Sequence, residues 1–242
     1  MDRGDNEIAT LMADLEKSDK PTLRRAVDAL IRLCVRDPEI GVLLTQFLND
    51  TSRKNRWPIA YVLGNLPLPP QCGVQVLIET LDHQDPDIRW AVALLLIRLA
   101  NKDGPILRLL VKLAAEGTAQ QRRMAIYTLR DVKLNDDERV QTLLHSLHDP
   151  DPTVRVAAVT SLKRQSGLNE TGKTELLERF LQDNDSRVRD TAAVTLAYLG
   201  DPSEQFLNAL QKASTSDNAQ LKKAATAALS ILQNKRSAPH GS

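Results

Sequence analysis

Leucine recurs along this chain at a fixed interval. Leu30, Leu63, Leu96, Leu129, Leu162, Leu196 and Leu229 form one series with steps of 33 residues, lengthened to 34 once. Leu11, Leu44, Leu77, Leu110, Leu143, Leu177 and Leu210 form a second series with the same steps. Around each leucine the other apolar residues fall three or four positions away, so both series read as the buried stripes of amphipathic helices. Leu15, Leu48, Leu81, Leu147 and Leu181 extend the second stripe by one turn. Ahead of each leucine of the first series stands an oxygen-bearing residue: Asp19, Ser52, Asp85, Thr118, Asp151, Asp185 and Asn218. Such residues accept a hydrogen bond from the free amides of a first helical turn, and Pro86 and Pro152 come directly after their caps, where a missing N–H costs nothing. Between cap and leucine lie Ala26, Ile59, Val92, Ala125, Ala158, Ala192 and Ala225, slim enough for neighbouring helices to approach closely.

The pattern predicts seven units of helix, short turn, helix, near residues 5–35, 38–68, 71–101, 104–134, 137–168, 171–200 and 202–234. Asp37-Pro38, Asp103-Gly104-Pro105 and Asp201-Pro202 open first helices, and Pro67, Pro69 and Pro70 punctuate the connection from the second unit to the third. No alternating run rich in β-branched residues competes for a strand. A single helix pair cannot bury its stripe alone, so each unit must stack on the next. The expected fold is all-α, a right-handed α-solenoid filling residues 1–234 as one array. Residues 235–242 offer no stripe to bury and are expected to be a disordered tail.

Four residues after the cap stand Arg56, Arg89, Arg122, Arg155 and Arg189, with Lys222 in the last unit and Leu23 in the first. With the segments Asp85–Arg89, Asp151–Arg155 and Asp185–Arg189, this column resembles the HEAT repeat, particularly its bacterial variety as found in phycobilisome-lyase-type proteins. The resemblance covers nearly the whole chain and implies an armadillo-like helical array in which the Asp and Arg columns form a structural ladder between units. The first unit departs by lacking the arginine, and Ala114 and Ser214 replace a leucine in the fourth and seventh units. Ankyrin repeats share the period but not their Thr-Pro-Leu-His signature. Tetratricopeptide repeats have a different period and an aromatic pattern that only Trp57–Gly64 approaches.

Thirty-two basic and thirty-one acidic residues leave a formal charge of +1, which excludes a generally basic nucleic-acid or membrane binder. Cys34 and Cys72 lie in no paired or His-rich motif, so neither a disulfide framework nor a zinc site is expected. The first residues lack a signal peptide's apolar core, and the longest apolar run, Trp90 to Ile97, is far too short to cross a bilayer; the reading is a cytoplasmic protein. The iron-binding hydroxylases of the HEAT-like class use His-Glu dyads, whereas the histidines here precede Gln84, Ser146, Asp149 and Gly241. No phosphate loop, HExxH or nucleophile motif occurs, so no catalytic residue, metal or cofactor is assigned.

One column breaks the uniformity. Both tryptophans fall in it, five residues after the cap: Arg24, Trp57, Trp90, Arg123, Val156, Asp190 and Lys223. Four residues on the series reads Asp28, Tyr61, Leu94, Tyr127, Thr160, Val194 and Ala227, on the same helix face. By the resemblance, second helices line a concave groove, which places Trp57, Tyr61, Trp90, Leu94, Arg98, Arg123 and Tyr127 in a candidate binding patch, with Arg98 and Asn65 one turn further along the face. These residue types anchor interfaces, but the same tryptophans could instead seal adjacent second helices. The leading expectation is a scaffold or adaptor holding a peptide, helix or domain of another protein. The alternatives are a bilin lyase or related chromophore-binding protein, with the patch holding a tetrapyrrole, and a HEAT-like DNA-binding or glycosylase protein.

Overall fold

The computed structural model describes residues 3–17, 19–50, 55–133, 136–164, 168–199 and 203–237. Among them are fourteen α-helices, one 3-10 turn at Ser146–His148 and no strand. The chain divides into two compact units, residues 1–108 and 109–242.

In unit 1 the helices are α1 (Arg3–Leu15), α2 (Lys20–Arg36), α3 (Pro38–Asn49), α4 (Trp57–Gly64), α5 (Gln71–Thr80) and α6 (Pro86–Ala100). The odd-numbered first helices pack on the even-numbered second helices, and α2, α4 and α6 also pack on one another in chain order. Leu30, Leu44, Leu63, Leu77 and Leu96 are fully buried, as are Ala60, Val62 and Val92. Each such leucine contributes about 2 kcal/mol relative to an exposed one. Helix α7 (Gly104–Glu116) runs through the division between the units.

Unit 2 holds α8 (Ala119–Asp131), α9 (Asp136–His145), α10 (Pro152–Leu162), α11 (Glu170–Gln182), α12 (Ser186–Leu199), α13 (Glu204–Ser214) and α14 (Ala219–Ser237). Here α8, α10, α12 and α14 pack in succession, with α9, α11 and α13 each against its own partner. Leu129, Leu143, Leu162 and Leu210 are fully buried, with Ala125, Ala158, Ala192 and Ala225 where the second helices meet.

The caps act through the expected atoms. Asp19 accepts the Thr22 amide at 2.9 Å, Asp85 that of Asp87 at 2.8 Å and Asp151 that of Thr153 at 2.7 Å. Thr118 and Gln121 form a reciprocal capping box, and Asn218 accepts from Gln220 and Leu221.

Three local expectations shift. Helix α4 begins at Trp57, five residues beyond Ser52, which lies outside the described residues, as do Asp201 and Pro202. Pro58 in its first turn lacks an amide and restricts Trp57, so the helix is eight residues long. Leu181 is 42% exposed, and the larger Phe180, fully buried, fills the core at that turn in its place. Helix α14 continues through residues 235–237, three positions into the stretch expected to be tail; residues 238–242 lie outside the description.

Candidate functional site

Helices α2, α4 and α6 each present one i, i+4 line away from the first helices. On α6 that line is Trp90, Leu94 and Arg98, and all three are exposed, Trp90 by 41% and Leu94 by 64%. Their neighbours Val92, Ala93, Leu95 and Leu96 are buried, so the helix carries a second apolar strip that its own core does not use. On α4 the equivalent line is Trp57, Tyr61 and Asn65, all half-buried. The Trp57 ring meets Tyr61 edge-on with centroids 6.5 Å apart and meets His83 at 6.3 Å. His83 is itself fixed, its Nδ1 accepting the Asp85 amide at 3.0 Å. Arg98 donates from Nη2 to Asn65 Oδ1 at 2.8 Å, and Asn65 Nδ2 donates to the Tyr61 carbonyl at 2.7 Å. This chain of bonds sets α6 against α4 in register. Trp57, Tyr61, Trp90, Leu94 and Arg98 therefore belong to one face of unit 1.

Arg123 and Tyr127 occupy the matching line of α8, in unit 2. Both are half-buried, and the buried Nε of Arg123 has no hydrogen-bond partner among the described residues. The Arg130 guanidinium lies 5.4 Å from the Tyr127 ring centre. Further along unit 2, Lys163 Nζ stands 3.3 Å above the Tyr198 ring.

The arginines four residues after the caps make two kinds of contact. Arg122 grips Asp149 with two bonds of 2.7 Å and donates to the Gly117 carbonyl at 2.8 Å. Arg155 grips Asp183 with two bonds of 2.8 Å and donates to the Asp149 carbonyl at 2.8 Å. Both carboxylates are buried, Asp183 almost completely. Burial pushes the Asp183 carboxyl up, but the bonds from Arg155 and the Asp185 amide outweigh it and hold it below its ordinary value. Arg89 binds the carbonyls of His83 and Gln84, Arg189 that of Asp183, and Arg56 reaches Leu48 and Glu79 at 3.4 and 3.5 Å. These arginines tie a second helix to the segment ahead of it, and at Arg56, Arg122 and Arg155 also to the following helix pair.

Two arrangements escaped the sequence. Asn65–Arg98 and Asp131–Arg164 are rungs of a second ladder at the far ends of second helices, each bond 2.8 Å across 33 residues. The 33-residue spacing itself was the available signal. An apolar hollow of about 480 Å³ lies in unit 1 between Val35, Val42, Leu66 and Leu68; Leu68 is 90% exposed. Nothing in the repeat marks it, because Leu68 and the prolines around it lie in the connection between helices, outside the periodic columns. Among the described residues no group of three His, Cys, Asp or Glu side chains is placed to hold a metal, and no helix is long and apolar enough to cross a membrane.

Paired helices with second helices stacked on one another within each unit define an α-solenoid repeat protein. The HEAT-repeat model matches residues 40–130, 107–197 and 140–230, and the chain belongs to the HEAT-repeat family. No curated protein sequence matches it. Among solved structures, Kap121p superposes with a TM-score of 0.61 at 14% identity, over 93% of this chain and 29% of that one. An engineered protein gives 0.44 at 19% identity over 93% and 68%, and human deoxyhypusine hydroxylase in complex with glycerol 0.39 at 16% over 95% and 96%.

Proposed function

We propose that this chain is a non-catalytic adaptor that holds another protein on the outward face of its second helices. Trp57, Tyr61, Trp90, Leu94 and Arg98 form the contact in unit 1; in unit 2, Arg123 and Tyr127 hold the corresponding positions of α8. The observation that carries this reading is the pair Trp90 and Leu94, two large apolar side chains left 41% and 64% exposed on a helix whose core positions are filled. A tryptophan beside an aliphatic residue and an arginine is the composition of interface anchors. Repeat arrays of this family present extended surfaces suited to binding.

Affinity capture followed by titration of the recovered partner tests the proposal. Wild type retains a partner that Leu94→Ser and Trp90→Ala lose by about tenfold or more, with helicity unchanged. Retention that is indifferent to both substitutions would place the contact elsewhere.

A further inference from the structure

The charges of unit 1 are sorted by layer. Helix α2 carries five cations against one carboxylate, Asp28. Helix α4 has no charge, and α6 adds Arg89 and Arg98 against Asp87. The first helices run the other way: among described side chains α1 has two acids, Glu7 and Asp14, and no base, and α3 and α5 each have one acid and no base. A formal charge near zero for the whole chain conceals this separation.

The basic side chains stand on the same line as the aromatic ones. Lys20, Arg24, Asp28, Arg32 and Arg36 succeed one another at i+4 along α2 and all are exposed. By repeat position Arg24, Asp28 and Arg32 correspond to Trp57, Tyr61 and Asn65 of α4 and to Trp90, Leu94 and Arg98 of α6, and α2 packs on α4 and α4 on α6. Lys20 is already neutralised, bonded to Asp85 at 3.0 Å and Asp87 at 2.7 Å. Arg24, Arg32 and Arg36 make no ion pair among the described residues, and Arg98 has only the neutral Asn65 amide. Four guanidinium groups therefore border an apolar strip with one unpaired acid, Asp28, among them.

We propose that the partner segment is acidic: a peptide, extended or helical, that seats leucine or phenylalanine side chains on Trp90 and Leu94 and sets carboxylates against Arg24, Arg32 and Arg98. This deepens the adaptor reading and rests on it. Guanidinium groups bind carboxylates in paired geometry, and the desolvated strip supplies the affinity that exposed ion pairs lack. A single-stranded nucleic acid fits less well. It needs several open rings on which successive bases stack, whereas Trp57 is half-buried edge-on against Tyr61 and the centre of the strip is aliphatic. Asp28 would also oppose a phosphate backbone.

Selection from displayed random peptides of about sixteen residues, long enough to span three helices, tests this on the full chain. The enriched pool is expected to be rich in Asp and Glu with Leu or Phe, and to fall about tenfold on Trp90→Ala and on Arg24→Glu/Arg32→Glu at low salt. Arg24→Gln/Arg32→Gln, which removes charge without reversing it, is expected to give an intermediate loss, and circular dichroism confirms the fold of each variant. An oligothymidine competitor is expected to leave the peptides bound. A neutral or basic pool that still requires Trp90 would overturn the acidic partner and leave the adaptor reading standing. A pool indifferent to Trp90, or no enrichment at all, would overturn both. Displacement by oligothymidine at comparable concentration would overturn the acidic peptide in favour of nucleic acid.

Discussion

A carboxylate as buried as Asp183 survives only because its charge is paired. Its side chain is 1% exposed, with two bonds from Arg155, one from the Asp185 amide and Arg179 at 3.6 Å. Asp183→Asn leaves Arg155 with half a partner in a dry site and is expected to cost about 3 kcal/mol in urea denaturation. Conversion of the exposed Asp87 to Asn is expected to stay within about 0.5 kcal/mol. The same groups set the pH dependence. Asp183 and Asp151 sit below their ordinary value near 3.8, and Arg187 draws Asp185 down to about 2. Folded-state values that are depressed add stability above the unfolded-state value and lose it as pH falls toward the folded one. Thermal melts are therefore expected to be level above pH 5 and to decline from about pH 4 towards pH 2, less steeply in Asp183→Asn. The arginine column could be read from the sequence as a repeated position. The acids that Arg122 and Arg155 grip could not, because Asp149 and Asp183 lie two residues ahead of the capping aspartates expected in that role, and only folding shows which carboxylate turns inward.

At the scale of elements, periodicity was informative wherever a side chain has one face to bury. The slim series and the caps at Asp19, Asp85, Thr118 and Asp151 reappear in their expected places, as does the leucine series except for Leu11 and Leu229, which are half-buried. The pattern misled where local chemistry overrode it: Pro58 delays α4, and the bulk of Phe180 fills the core position expected of Leu181. Leu162→Ala in the fully packed α10 is expected to lower stability by about 3 kcal/mol, read as a shift in the denaturation midpoint. The two glycines that bracket α7 separate space from backbone constraint. A Cβ on Gly117 would stand 2.9 Å from the Leu113 carbonyl oxygen and 2.9 Å from Gln121 Cβ, whereas one on Gly104 would meet nothing closer than the tip of Arg108 at 3.8 Å. Gly117→Ala is expected to destabilise by about 1–2 kcal/mol and Gly104→Ala by less than about 0.5.

For the molecule as a whole, family and fold were legible because a repeat states its architecture seven times. The candidate face was legible only in part. The column containing Trp57 and Trp90 could be read from the sequence, but whether those rings line a surface or fill an interface depends on burial. The two tryptophans separate on that criterion: Trp57 is half-buried against Tyr61 and His83, and Trp90 is exposed beside Leu94. Acrylamide is expected to quench the fluorescence of Trp57→Phe, which retains Trp90, more strongly than that of Trp90→Phe. Similar quenching in both would show that the rings share one environment. The basic line on α2 went unread because a net charge of +1 averages it away.

The outward strip of α6 stands at the centre of this account as a binding surface and not as part of the packing. Substitution of Leu94 by serine, with both thermal melting and titration of the captured partner, tests it most directly. The expected result is stability within about 0.5 kcal/mol of wild type with partner affinity reduced about tenfold or more. A large loss of stability with affinity unchanged would mean that the strip is packing, and would contradict the claim.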